Sequence, residues 1–490
     1  MRQGQIQARN EEGMALLIAL VALTLISLIG FLSALDAATE LKISDNYESR
    51  TQAIEAAQAG LNHARELLRG LSFDDQLAGS DGIHDSSTTY LALARRCAFR
   101  NPISWVLARS LHVSDPAGDV AGMSDDGLIN TGPAGTSAGV GLIPVTGVPV
   151  GVSSPGMGTF VRYFVKVTDN NGEASEILRD PSDDPFHDGD GIVIVRSMGV
   201  ASTIGEAVGP VPQWNSVALA ESRLRIRRVF QLDSPLVVQG LSVEPSGVDM
   251  FSGDSFLISG GSAHVGIGVI DPDLLDSLSP AQELISGIAA SQEDNIQGAG
   301  LTPSVGDFTA GISAHSEKRL LLEKAYLRDF AYREVPRFAD NVFVGGQVWS
   351  AGNVPDLGHF DPAIPAADPV QRPMVTFVDG DLTLDGGIEG AGLLIVTGAL
   401  RILGGFGFRG LVLLVGSGDV EAQDMSPGLS GGLYIAALML SGTGLEWATP
   451  RISISGTSVI SMDEDAIEMA LRLIPPAQLG CREITPTLDP

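Results

Sequence analysis

Met14 to Leu35 reads MALLIALVALTLISLIGFLSAL, 22 residues without a charge close to the start of a 490-residue chain. Coiled as a helix, the run is about 33 Å long, enough to cross a hydrocarbon core of about 30 Å. A chain that places this run in a membrane keeps its remainder on one side.

Three readings compete for the run. As a secretory signal it is long, although Ala34 and Ala37 offer small residues for cleavage. As a plain anchor it has Arg2 and Arg9 as its cytoplasmic positive charge. The third reading comes from the residues beyond the run, because from Asp36 no Pro or Gly interrupts the chain until Gly60, and the next breaker is Gly70. Ala53, Ala57, Leu61, Ala64 and Leu68 recur at spacings of three and four, an apolar stripe with Glu55, Arg65, Glu66 and Arg69 off it. The spacing predicts either one helix over Met14–Arg69, about 84 Å long, or two helices broken near Asn46. In both cases the amphipathic half needs a body to pack on.

Composition narrows that body. With 59 Asp plus Glu against 30 Lys plus Arg, the net charge is −29, which makes nucleic acid and anionic lipid surfaces poor partners for the bulk of the chain. At 44% apolar and 18% charged residues the chain can bury a sizeable core, and its length argues for two or more domains. The 59 glycines and low aromatic content favour a turn-rich, largely β body. Cys97 and Cys481 are too few for a disulfide scaffold, but form one candidate bridge in an exported body.

A polar leader ending in Gly13, the run MALLIALVALTLISLIGFLSA and then ISDNYESRTQAIEAAQAGLNHARELL resemble, in that order, the amino-terminal region of type IV pilus assembly proteins of the PilX type. The resemblance implies cleavage between Gly13 and Met14 by a prepilin peptidase on the cytoplasmic face, and methylation of the new Met14 amine. It also implies helix packing with other pilin subunits and the pilus assembly machinery, through Ile18 and the stripe Ala53, Ala57, Leu61, Ala64 and Leu68. Shaft-building pilins carry Glu at the fifth mature position, where it neutralises a neighbour's terminal amine; here that position is Ile18. An unpaired carboxylate at that depth is costly, so Ile18 suits a subunit without such a neighbour, at the tip or in priming.

Beyond the helix, residues 71–113 read as mixed helix and loop, and 114–158 as a Gly-, Pro-, Ser- and Thr-rich linker. Phe160–Val167, Gly191–Met198 and Glu221–Gln231 read as three strands of an antiparallel sheet suited to the helix stripe. Between the first two, Asp169, Asn171, Asp180, Asp183, Asp184, Asp188 and Asp190 crowd oxygen ligands together. The donor type suits calcium, while the spacing departs from the EF-hand loop and equally describes a solvated hairpin with Asx turns.

Laying 379–396 over 397–414 pairs Gly380 with Gly398, Leu382 with Leu400, Leu384 with Ile402, Gly386 with Gly404, Ile388 with Phe406, Gly392 with Gly410 and Leu393 with Leu411. A period of 18 with glycine corners and short apolar strands is what stacked β-solenoid rungs require. Val375–Val378 fits a preceding rung, Gly432–Ala436 a later rung with a four-residue insertion, and Ile452–Ile460 a last strand. Helices are expected near Ser316–Tyr332 and Glu464–Leu473.

Motifs for catalysis fail their context. GTSAG at 135–139 lies in the linker and GLSGG at 428–432 in the repeat, where a nucleophile elbow has no place. GFGFRG at 405–410 is a repeat corner rather than a dinucleotide loop. The seven histidines show no paired metal spacing. Asp381, Asp385 and Glu389 meet Ala399, Leu403 and Gly407 in the next rung, so no acidic groove of the polysaccharide-cleaving kind builds up.

The expected fold is α+β: a long transmembrane and amphipathic helix, an antiparallel β unit and a carboxy-terminal β-solenoid-like region. The expected segments are leader 1–13, helix 14–70, helix, loop and linker 71–158, β unit 159–233, irregular β region and helix 234–335, and solenoid-like region 336–490. The expected function is that of a non-enzymatic minor pilin-like component, held in a bacterial inner membrane with its body periplasmic before assembly and at the cell surface afterwards, with no cofactor unless calcium. The alternative is a membrane-tethered extracytoplasmic binding or adhesion protein.

Overall fold

The computed structural model describes residues 3–73, 148–150, 159–169, 191–203, 216–231, 233–240, 250–253, 255–272, 280–315, 317–364, 370–441 and 444–484. It is a mixture of helix and strand divided into two units. Met1–Ala64, Asp74–Arg223 and Gly480–Pro490 form the first, and Arg65–Phe73 with Leu224–Leu479 the second.

One unbroken helix, α1 (Gln3–Leu67), carries the amino terminus, with no break at Asn46. Its 65 residues make it about 98 Å long. The absence of Pro and Gly between Asp36 and Gly60 explains its continuity, and Gly70, with φ +81°, lies just past its end as a left-handed glycine. In the first unit α1 buries Ser49, Ala53, Ala56, Ala57, Leu61 and Ala64, while everything described from Leu16 to Glu48 is exposed.

The sheet of that unit contains β1 (Val148–Pro149), β2 (Thr159–Asp169), β3 (Ile192–Thr203), β4 (Ser216–Arg225) and the carboxy-terminal strand Ala477–Ile484, in that spatial order. β2 and β3 are antiparallel from Thr159 opposite Thr203 to Asp169 opposite Val193. The expected strand at Glu221–Gln231 is corrected: it begins at Ser216, where a small apolar run (VALA) pairs, and ends at Arg225, after which Val229 and Phe230 form a buried turn. Val148–Pro149, inside the segment read as linker, pairs with Tyr163 and Arg162.

Small residues let helix and sheet approach closely. A Cβ on Gly199 would lie 1.9 Å from the Ala53 carbonyl oxygen, and one on Gly60 would lie 2.1 Å from Ser197 Oγ. Glu221, almost fully buried, accepts from Arg196 Nε (2.8 Å) and Arg482 Nη2 (2.6 Å), which ties β3, β4 and the last strand.

The second unit is built mainly of parallel strands. Its chain runs through β5 (Leu236–Gln239), β6 (Phe251–Ser252), β7 (Leu257–Ser259) and β8 (Ile267–Ile270), then α2 (Pro280–Ser286), β9 (Ile296–Gln297) and β10 (Val305–Asp307). Short helices α3 (Thr309–Ala314), α4 (Lys324–Asp329) and α5 (Val335–Phe338) lead to β11 (Asn341–Val344), β12 (Gln347–Ser350) and β13 (Gly358–His359). The long strands come next as β14 (Arg372–Asp379), β15 (Leu382–Asp385), β16 (Ile388–Val396), β17 (Leu400–Leu403), β18 (Phe406–Gly416), β19 (Asp419–Gln423) and β20 (Gly428–Ser441). The unit closes with β21 (Gly444–Trp447), β22 (Arg451–Ser455), β23 (Val459–Ser461) and α6 (Glu464–Arg472), from which the chain passes into β24, the carboxy-terminal strand Ala477–Ile484.

One ladder runs β10-β8-β5-β20-β18-β16-β14-β11 and a second β12-β15-β17-β19-β22-β6. Leu393 pairs with Val375 on one side and Leu411 on the other, and Leu382 with Leu400, each 18 positions apart. The first halves of β16, β18 and β20 continue through β23, β7 and β9 as a third run of parallel pairs. Two expectations are corrected. Gly410 pairs with Gly431 rather than Gly432, so the insertion is three residues; this register keeps Leu433 and Ile435 on the inner core and Tyr434 and Ala436 on the outer one. Ile452–Ile460 is not a last strand either, since Ile454 pairs onward with Phe251 and Ile460 with Ile258.

Strands of the first ladder are buried on both faces, which explains their continuous apolar runs. Leu394, Val412, Leu433 and Leu236 point to one core, and Leu393, Leu411, Tyr434 and Val237 to another shared with Phe330, Val335 and Ile467 from the helices. The second ladder alternates, with Leu382, Leu400, Val420 and Ile452 buried and Arg401 and Glu421 outside. The helix expected at Ser316–Tyr332 is broken: a 3-10 turn at Lys318–Leu322, an extended Glu323, α4, a π turn at Phe330–Glu334 and α5, entered through Pro336. The helix near Glu464 forms as read, its first turn capped by Asp463 accepting from the Ala466 amide at 3.1 Å.

Candidate functional site

The amino-terminal half of α1 is the most exposed apolar surface among the described residues. Met14, Leu16, Leu23, Ile26 and Phe31 are each more than 60% exposed, and the span has a mean hydropathy of 2.7 in its most apolar window. Length and composition suffice to cross a membrane. Thr24 donates its hydroxyl to the Val21 carbonyl (2.8 Å), so its one hydroxyl is satisfied within the helix.

Gly13 lies in the helix, and Met14 and Ile18 are 63% and 61% exposed on its apolar half. Ala53, Ala57, Leu61, Ala64 and Leu68 are at most 4% exposed. These side chains are covered within the chain itself, Ala53 lying beside Gly199 of the sheet that the stripe was expected to meet. Ser49, Ala56 and Gly60 belong to the same buried strip. Small size was their signal, visible only once close packing against Gly199 and Ser197 is known.

Asp169 ends β2, while Asn171, Asp180, Asp183, Asp184, Asp188 and Asp190 lie outside the described residues, as do Cys97 and the GTSAG motif. Cys481 is an exposed thiol on β24. Among the described residues no three His, Cys, Asp or Glu side chains gather in metal-holding geometry.

Ser430 of the GLSGG motif lies in β20 and donates to Asp463 Oδ2 (2.9 Å); Arg409 Nε lies 3.8 Å from the same oxygen. Since Asp463 also caps α6, this serine helps hold a helix end rather than standing at an elbow. A groove of about 350 Å³ lies between Tyr332 and Arg328 on one side and Leu438, Leu440 and Leu445 on the other. Nearby, burial pushes the Tyr326 hydroxyl up to about 12, with the Arg227 charge opposing, and burial raises Tyr434 well above the ordinary tyrosine range. Burial lowers Arg196 against the opposing charge of Glu221.

No family model, curated protein or solved structure matches the chain.

Proposed function

We propose that the chain is a minor pilin-like structural component of a type IV pilus or related filament, acting in assembly priming or at the tip. The observation that carries this reading is the form of α1: an exposed apolar half continuous with an amphipathic half buried on its own sheet. Such a helix can hold a folded body at a membrane and later pass into a bundle of similar helices without refolding. The leader ending in Gly13 and the resemblance of the first segment add to it.

On this reading a prepilin peptidase cuts between Gly13 and Met14, the Met14 amine is methylated, and other pilin subunits meet the exposed face around Ile18. The body lies outside the cytoplasm, first on the inner membrane and then at the cell surface. Repeated 18-residue parallel pairing in the second unit supports reading that unit as a β-solenoid. Mass spectrometry of the mature chain tests the proposal. Methylated Met14 is the expected terminus, whereas intact Met1 or a cut near Ala34 would replace it with a tethered binding protein or a secreted one.

A further inference from the structure

We propose that the outer edge of β11 is a self-association surface, at which a second copy of this chain adds its own β11 in antiparallel register. β11 and β12 end their ladders, and among the described residues no strand pairs with their outer edges. The Gly345 amide donates to the Asp379 carbonyl at 2.8 Å, and Val344 pairs with Asp379. Strand alternation then turns the backbone N–H and C=O of Val342 and Val344 away from β14.

The equivalent groups of β12 are already occupied. The Ser350 amide donates to Asn353 Oδ1 (2.6 Å), and Asn353 Nδ2 donates to the Val348 carbonyl (3.2 Å). That carboxamide stands where a residue of an added strand would stand. Among the described residues no side chain does the same for Val342 or Val344. At the other end of the ladder α2 packs beside β10, with Leu284 buried.

The chemistry of the edge selects a second copy as its occupant. Asn341–Ser350 contains no charge and no Pro, the devices that usually keep edges apart. Asp340, just before it, is held by Arg69, whose Nη2 lies 3.0 Å from both carboxylate oxygens. Two chains of net charge −29 can therefore meet here without opposing bare charges. Val342 and Val344 are 46% and 77% exposed and share one face. A twofold axis at Phe343 sets Val342 of each copy opposite Val344 of the other, which exchanges the outward backbone groups reciprocally and gathers the valines. So short an edge buries far less than the roughly 1,200 Å² of a stable interface, so the association is weak.

Sedimentation of the full chain in detergent, from about 1 to about 100 μM, tests this. The wild type should gain mass with concentration. The double variant V342K/V344K should need at least tenfold more protein to associate, and N353A should associate no less than the wild type. In a C97S/C481S background, mixing chains that carry V342C with chains that carry V344C should give mainly the mixed disulfide dimer. Melting at the wild-type temperature checks that the lysine variant folds; if it does not fold, the cross-linking pattern decides. A monomeric wild type, association that survives both lysines and so belongs to α1, predominance of V344C–V344C dimers, or capture of an added strand-forming peptide without self-association would overturn the proposal.

Discussion

Tyr434 donates its hydroxyl to the carboxamide oxygen of Gln239, a buried bond between residues 195 positions apart. It crosses the seam where β20 meets β5, and Gln239 Nε2 in turn donates to the Leu321 carbonyl at 2.9 Å. The chain enters its ladder at this seam, builds outward to β10, crosses through α3–α5 to β11 and returns to the seam from the other side. One polar chain thus joins the first strand laid down, the last long one and the crossover.

Tyr434→Phe should destabilise the chain by about 1–3 kcal/mol, because the Gln239 oxygen is left buried without its donor. Gln239→Leu should cost a similar amount by orphaning both the tyrosine hydroxyl and the Leu321 carbonyl. Urea denaturation monitored by tryptophan fluorescence measures both, and a loss below about 0.5 kcal/mol for each would remove the seam from the stability argument.

Gly392, Gly410 and Gly431 stack at the bend between two runs of parallel pairs, with φ of +124°, +141° and +138°. A Cβ at Gly410 would sit 2.0 Å from the Gly392 carbonyl oxygen. Gly410→Ala should therefore cost more than about 2 kcal/mol through backbone strain and lost pairing. Gly311→Ala, at a helical site with nothing within 4 Å of the new Cβ, should stabilise by about 0.5–1 kcal/mol. Thermal melts of the two variants separate these outcomes, and equal effects would contradict the packing account.

The period of 18 was legible in the sequence because parallel pairs such as Leu393 with Leu411 join neighbouring strands and repeat the same side chains at the same corners. The seam was not legible, since Leu236 and Leu433 come from segments with no shared spacing. The one-residue error at Gly431 arose because three glycines, at 428, 431 and 432, compete for one corner, and only the closed register decides which bends. In α1 the stripe from Ala53 to Leu68 was visible from its period, and an antiparallel sheet was expected on it, but the residue of closest approach was not. Gly199, which makes room for it, looks like any strand glycine until the Ala53 carbonyl is placed against it.

Gly199→Ala sets a methyl 1.9 Å from that Ala53 carbonyl, and neither a helix backbone nor a central strand can yield by that much without losing pairing. Hydrogen exchange should rise in β3 and in the buried half of α1 while the second unit keeps its protection; uniform exchange across both units would show that the contact does not govern this sheet.

Alkaline pH should weaken the second unit. The Tyr326 and Tyr434 hydroxyls are raised by burial in the folded chain, Tyr326 to about 12, above the value of about 10 expected when unfolded. The unfolded state releases these protons first, so the stability they confer is complete below about pH 10 and drains as pH rises toward the folded values. The urea midpoint should fall over that interval, and Tyr326→Phe should reduce the fall. An unchanged slope in this variant would assign the effect elsewhere.

Glu221 carries the last prediction. It is 3% exposed and accepts from Arg196, itself 9% exposed, and from the largely exposed Arg482. Neutralising the carboxylate removes the charge from the bond that Arg196 Nε donates in a buried place, so Glu221→Gln should cost about 1.5–3 kcal/mol. Arg482→Ala removes only the partner that water can replace, and should cost about 1 kcal/mol or less. The ordering is the test: a larger loss for Arg482→Ala than for Glu221→Gln would mean that closure of the sheet by β24, rather than pairing of the buried charge, is what the carboxylate secures. Trypsin susceptibility at Arg482 in the Glu221→Gln variant distinguishes the two causes, because release of β24 exposes that bond, whereas a weakened Arg196 bond destabilises the sheet without freeing its last strand.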